Sequence, residues 1–267
     1  MVLSTSAAAL RYRPQHAGEA PPTAARSVVS RALVDPAPLD LSSVLLIVPV
    51  LLFSVIAHEY AHGYAALRQG DPTASLLGRL TWNPLKHIDP FLTIVLPLVL
   101  LFSPLHVAIG GAKPVPVNPR NYRNVKRGDI IVSLAGVFTN LLLALAFTAA
   151  IPVVGGAARV VPPAAGALTV LQAMLIVGIE INLALIAFNL IPIPPLDGSH
   201  VMKYLLPPAW GARYARMGLA GLIVLVLLLR FMPDLLDIWF APAERLDAML
   251  IGAVQGMVLP GVSRWLR

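Results

Sequence analysis

Residues 41–62 read LSSVLLIVPVLLFSVIAHEYAH, an uncharged apolar run from Leu41 to Ala57 that ends in His58, Glu59 and, four positions after the first histidine, His62. The run is long enough to cross the hydrocarbon of a bilayer as part of one helix. On a helix, positions i and i+4 share a face, so His58 and His62 can ligate one metal ion while Glu59 reaches a water bound to it. Charged groups at membrane depth cost on the order of 2.5–3.5 kcal/mol each and do not persist there without polar partners. The stretch therefore predicts a metal centre of hydrolytic type within a membrane helix.

The rest of the chain extends this reading. Of its 267 residues 57% are hydrophobic and 12% charged, and the mean hydropathy is +0.77, the composition of a chain that faces lipid over most of its length. Apolar segments at 41–67, 130–154, 168–192 and 215–232 are predicted to span. Two others are ambiguous: 90–109 is broken by Pro97 and Pro104, and 235–263 mixes Asp237, Glu244, Arg245 and Asp247 with apolar residues. The fold class expected is an all-α polytopic membrane protein, a helical bundle built from residues 41–267 as one membrane-embedded domain. Residues 1–40, with four arginines among alanine, proline and serine and no signal-peptide core, read as a disordered N-terminal tail, the alternative of an organelle transit peptide being weakened by Glu19, Pro21 and Pro22.

Two classes of function fall away. The net charge of +7 resides in short connections beside apolar segments, where the positive-inside rule puts it, and this argues against a nucleic-acid partner. With no cysteine in the chain, disulfides, thiolate ligands and cysteine nucleophiles are excluded, and a metal must be held by nitrogen and oxygen.

A catalytic zinc takes three protein ligands and keeps one position open. The extended pattern HExxHxxGxxH would need a glycine and a histidine where this chain has Ala65 and Arg68, so the third ligand lies elsewhere. The strongest candidate is Asp197, in the run Phe188-Asn189-Leu190-Ile191-Pro192-Ile193-Pro194-Pro195-Leu196-Asp197-Gly198. There an apolar helix meets successive prolines and unwinds, which frees backbone groups that a polar cavity can satisfy and lipid cannot. His87, His106 and His200 lie in or near connections, without motif spacing to the first pair, and read as interface residues.

Taken together, His58-Glu59-Tyr60-Ala61-His62 and the run ending in Asp197-Gly198 resemble the site-2 protease family of intramembrane zinc metalloproteases, peptidase family M50. Gly111-Ala112-Lys113-Pro114-Val115-Pro116-Val117-Asn118-Pro119 and Leu134-Ala135-Gly136-Val137-Phe138-Thr139-Asn140 resemble its compact bacterial branch, which lacks PDZ and CBS modules. The resemblance implies a three-helix catalytic core within about residues 41–203 and one zinc ion per chain, held by His58, His62 and Asp197. It further implies Glu59 as general base and a transmembrane protein as substrate. Val137 stands where the family pattern carries proline, which leaves the metal site intact but removes the cause of a local kink.

The developing oxyanion needs donors, and Asn189 and Asn140 project from the two helices expected beside the site, Asn189 being the stronger choice; the alternative for each is an interhelical hydrogen bond that holds the bundle together. Asn182 is expected to pack between helices. The proline-rich connection after Gly110 must be extended. It reads either as a rigid surface loop or as an edge segment whose residues Ala112, Lys113, Val115 and Val117 pair with an unwound substrate.

Shared metal binding requires the helices that carry His62 and precede Asp197 to run the same way. Segment 90–109 then cannot cross fully, and is expected as a re-entrant hairpin or to lie along the bundle. Arg68, Arg79, Lys86, Lys113, Arg120, Arg123, Lys126 and Arg127 fall on one side, against Arg159 in loop 155–167. The positive-inside rule then sets the site near the cytoplasmic face of a bacterial cell (inner) membrane. The rival readings are an ion-binding transporter, disfavoured by the lack of internal repeats, and a catalytically silent scaffold, disfavoured by Glu59.

Overall fold

A computed structural model describes residues 41–103 and 110–264; the tail expected at 1–40 and the histidine at 106 lie outside the described residues. Numbering the α-helices of six residues or more, α1 is Leu41–Gln69, α2 Leu96–Phe102, α3 Val125–Val160, α4 Ala165–Asn189, α5 Asp197–Met202, α6 Pro208–Tyr214, α7 Leu219–Phe231 and α8 Pro233–Val254. Among the described residues no strand forms.

Val44–Gln69, Val125–Val160 and Pro162–Asn189 are long and apolar enough to cross a membrane. The span expected at 215–232 is corrected: α7 has 13 residues, about 20 Å at ~1.5 Å each, against a hydrocarbon core of ~30 Å. A turn through Gly218, with φ +45°, starts the helix late, and Pro233 opens the next one.

Helices α1, α3 and α4 form a three-helix unit. His58 lies beside Asn140 and His62 beside Val132, so α1 and α3 are antiparallel. Val50 lies near Gly178 and Ser54 beside Asn182, so α1 and α4 run the same way. Lipid tails are as apolar as leucine, and such helices associate by close packing of small residues. Ala144 and Ala173 are fully buried, and at Gly178 a Cβ would fall 2.5 Å from the ring of Phe147. Leu45, Val48 and Phe53 on α1 and Phe138, Leu142 and Val153 on α3 remain exposed, the surface suited to hydrocarbon. With valine at 137 where the family pattern carries proline, α3 runs as one helix past that position.

The remaining elements brace the ends of this unit. α7 and α8 close a second core around Ala187, Ile191, Leu196, Leu225, Leu229 and Phe240. Buried Gln172 pins the chain after α8: its Nε2 donates to Ile151 O and Met257 O, and its Oε1 accepts from Leu259 N–H. A π-turn over Pro90–Val95 leads into α2, yet Gly111 N–H returns to Leu92 O at 3.0 Å and Thr93 Oγ1 donates to Gly111 O at 2.7 Å. Leu92 and Thr93 are thus tied directly to Gly111. The stretch after it is neither helix nor strand, because Pro114 and Pro116 interrupt any ladder.

Candidate active site

Among the described residues His58, His62 and Asp197 form a group whose donor atoms all lie within 4.8 Å of one another. The two histidines sit in the second half of α1, and Asp197 is the first residue of α5, after the proline-rich break that follows α4. His58 Nε2 is 3.1 Å and His62 Nε2 3.3 Å from Asp197 Oδ2. Ligand atoms ~2.1 Å from a tetrahedral zinc ion stand about 3.4 Å apart, so the spacing fits.

Hydrogen bonds behind the rings decide what these atoms can do. His62 Nδ1–H donates to Val132 O at 2.7 Å, a partner that can only accept. At His58 the direction follows from a chain of amides. The carbonyl of Gly178 forces Asn182 Nδ2 to donate (2.7 Å), and the same group also donates to Ser54 Oγ at 2.9 Å. Asn182 Oδ1 must then accept from Asn140 Nδ2 at 2.8 Å. Asn140 Oδ1 is left to accept from His58 Nδ1–H at 2.5 Å. With Nδ1–H spent behind each ring, it is Nε2 that faces the carboxylate oxygen, and in the neutral form of each ring that nitrogen carries a lone pair able to ligate a metal. The donor set fits a divalent metal, and the amide and carbonyl partners fix ring tautomer and orientation as outer-shell partners of zinc histidines do.

Room for the ion comes from α3. A Cβ on Gly136 would lie 2.5 Å from His58 Nε2 and 2.6 Å from His62 Nε2, so this position must stay bare. Gly136, Val132 and Asn140 share one stripe of α3, at helical spacings of three or four. The sequence contains that stripe, but its roles as spacer, acceptor and amide relay emerge only once α3 is placed against α1. The same holds for Asn182 and Ser54, whose fully buried side chains continue the relay.

The other predicted residues divide. Glu59 Oε2 accepts from Val115 N–H at 2.8 Å, bringing the proline-rich segment over the site. Lys113 N–H donates to His87 O at 2.8 Å, and Lys113 O accepts from Arg79 Nη2 at 3.0 Å. Val117 packs against the small core of Ala66, Tyr122 and Val132, and Ala112 is half-buried. Asn189 is part-buried at the end of α4 and donates to Leu185 O at 2.9 Å. Asn140 lies behind His58, with its amide committed to that ring and to Asn182. His87 is buried, its Nε2 against Thr81 O, and His200 contacts Asp129.

Just beyond α1, buried Asp71 holds this covering segment in register. Its carboxylate accepts from the backbone N–H of Asn118 and Thr73, the Thr73 hydroxyl and Asn121 Nδ2. Burial acts to raise its pKa, but these bonds outweigh it, the Asn118 amide foremost, and hold the carboxyl below the ordinary range.

The sequence pattern of peptidase family M50 matches residues 46–166 and 153–229. The chain belongs to that family. It is similar to the Bacillus subtilis protein named "Putative zinc metalloprotease YwhC", 38% identical over 191 residues, which are 72% of this chain and 82% of that one. It is also similar to "Putative zinc metalloprotease Rip2" of Mycolicibacterium smegmatis, 30% identical over 198 residues, 73% of this chain and 70% of the relative. The protein of the same name from Mycobacterium tuberculosis is 29% identical over 197 residues, with 71% and 67% covered. No solved structure matches the chain. Membership of the M50 family makes the chain a zinc metallopeptidase, and its long apolar helices make it a membrane protein.

Proposed function

We propose that this M50 peptidase hydrolyses peptide bonds in or near the transmembrane segments of other membrane proteins, using one zinc ion held by His58, His62 and Asp197. The observation that carries the reading is the convergence of two imidazole nitrogens of α1 and the carboxylate that opens α5, all within 4.8 Å of one another. Bound there, zinc supplies an activated water and a Lewis acid for a peptide carbonyl. Glu59, adjacent to the first ligand and oriented by Val115 N–H, takes the proton from that water and returns it to the leaving amine. Asn189 keeps a second amide hydrogen for the developing oxyanion, whereas Asn140 serves His58.

A peptide bond within a transmembrane helix is shielded by its own hydrogen bonds, so the substrate must unwind before it reacts. The segment beside Glu59 can replace those bonds. From Lys113 to Pro116 every backbone N–H is either absent, at the prolines, or bonded inward. What this segment offers an extended substrate is carbonyl acceptors, of which those of Lys113 and Pro114 already accept from Arg79 Nη2. Arg123 N–H binds Gln69 O at 2.9 Å, which brings the basic residues from Arg120 to Arg127 to the end of the bundle nearest the metal ligands. That end is the cytoplasmic one by the positive-inside rule, in a bacterial inner membrane.

The test is cleavage of a membrane-spanning substrate by the purified chain and by Glu59→Gln. The variant should retain bound zinc and lose cleavage by about 10²–10⁴-fold. Equal rates would eliminate Glu59 as the base and with it this mechanism.

A further inference from the structure

The third metal ligand stands on the least self-sufficient element of the site. α5 has six residues, far below the ~12–15 at which an isolated helix becomes even marginal. What orients it must come from outside. On one side Gly198 meets the end of α4, where a Cβ would fall 2.2 Å from Leu190 O. On the other, one buried carboxylate of α3 takes hold of two residues that follow Asp197. Asp129 Oδ1 lies 3.2 Å from His200 Nδ1, and its Oδ2 pairs with Lys203 Nζ. Asp129 is 2% exposed. Lys126, from the first turn of α3, also approaches the ring of Tyr204 at 5.6 Å from its centroid, a second tie between α3 and the chain that leaves α5.

Asp129 extends the stripe of α3 already described. Asp129, Val132, Gly136 and Asn140 follow at spacings of three, four and four, which is one helical face. The upper part of that face sets the histidines. The lower part grips His200 within α5 and Lys203, the residue that caps its end, two points that fix the rotation of a short rigid rod about its axis. We infer that Asp129, acting through His200 and Lys203, is a positioning residue for Asp197, so that one face of α3 sets the geometry of all three metal ligands. This rests on the zinc site of the proposed function, and adds that metal affinity is controlled from a carboxylate that does not touch the metal.

Zinc affinity of the full-length chain in detergent, read by competition with a chromophoric chelator, tests the inference together with heat unfolding of the metal-free protein. Asp129→Asn should weaken zinc binding about tenfold or more, the scale seen when an outer-shell partner is lost. Lys203→Gln should give part of that loss, and the double variant no more than Asp129→Asn alone. Excess zinc should restore cleavage toward the wild-type rate. If Asp129→Asn lowers the unfolding temperature but leaves zinc affinity within twofold, the residue is merely structural and the inference is overturned. If that variant does not fold, the same criterion is applied to Lys203→Gln and His200→Gln. Failure of the wild-type chain to bind zinc would instead remove the proposed site itself.

Discussion

The two halves of the metal cradle are held by opposite means. His58 and His62 ride on α1, 29 residues long, where a helix of that length fixes their mutual spacing by its own hydrogen bonds. Asp197 rides on six residues after a proline-rich break, where local structure fixes almost nothing and contacts with α3, α4 and the following loop do the work. Tyr214, the last residue of α6, also braces the break itself, donating from its hydroxyl to Pro192 O at 2.6 Å. The difference teaches that the helix half can be specified by a short pattern, while the other half needs the assembled bundle.

The comparison can be broken most severely at two glycines. Gly136→Ala drives a methyl into both imidazoles from α3, and Gly198→Ala drives one into the carbonyl of Leu190. Because the first clash lies among ligand side chains and the second against backbone, Gly136→Ala should abolish zinc binding with the helical bundle intact, whereas Gly198→Ala should also destabilise the chain. Gly156→Ala, on the same α3 but with nothing within 4 Å of the added methyl, should change neither. Metal content and thermal unfolding, measured on all three, check the pattern. Equal zinc content in Gly136→Ala and wild type would refute the close approach.

A smaller effect sharpens the helix half. Asn140→Ala leaves His58 Nδ1–H without its acceptor in a buried site and frees the ring to turn. Zinc affinity should fall about 10–100-fold. Asn182→Ala, one step further from the ring, should cost less, and the reverse order would contradict the relay direction set by Gly178 O.

Much of this was legible in the residues. The ligand pair is a local spacing on one helix, so periodicity finds it, and the proline run marks where a helix must end. The parallel course of α1 and α4 followed from the demand that ligands on both reach one ion. Other features were not legible, for physical reasons. Asn140 read equally as a donor to substrate and as an interhelical hydrogen bond, because which polar group a buried amide serves depends on partners many residues away. The span expected at 215–232 failed because hydropathy reports apolar length, not where a turn at Gly218 interrupts it. His200 looked like an interface residue because its partner, Asp129, lies 71 positions away in the chain.

The smallest expected effect concerns the covering segment and separates it from the cradle. Asp71 has a folded pKa below its ordinary value, since burial is outweighed by the bonds from Asn118, Thr73 and Asn121. A group of this kind contributes stability fully above its unfolded pKa, near 3.9, and loses it as pH falls through the lower folded value. Asp71→Asn removes that contribution. The variant should therefore unfold at a lower temperature than wild type near neutral pH, with the gap narrowing as the pH drops below about 4. Because Asp71 holds Asn118 and not a metal ligand, zinc affinity should stay unchanged while cleavage slows modestly, through a looser Val115 amide beside Glu59. A gap independent of pH would mean that the charge of Asp71 does not hold the segment, and a loss of zinc would mean that cover and cradle are one unit.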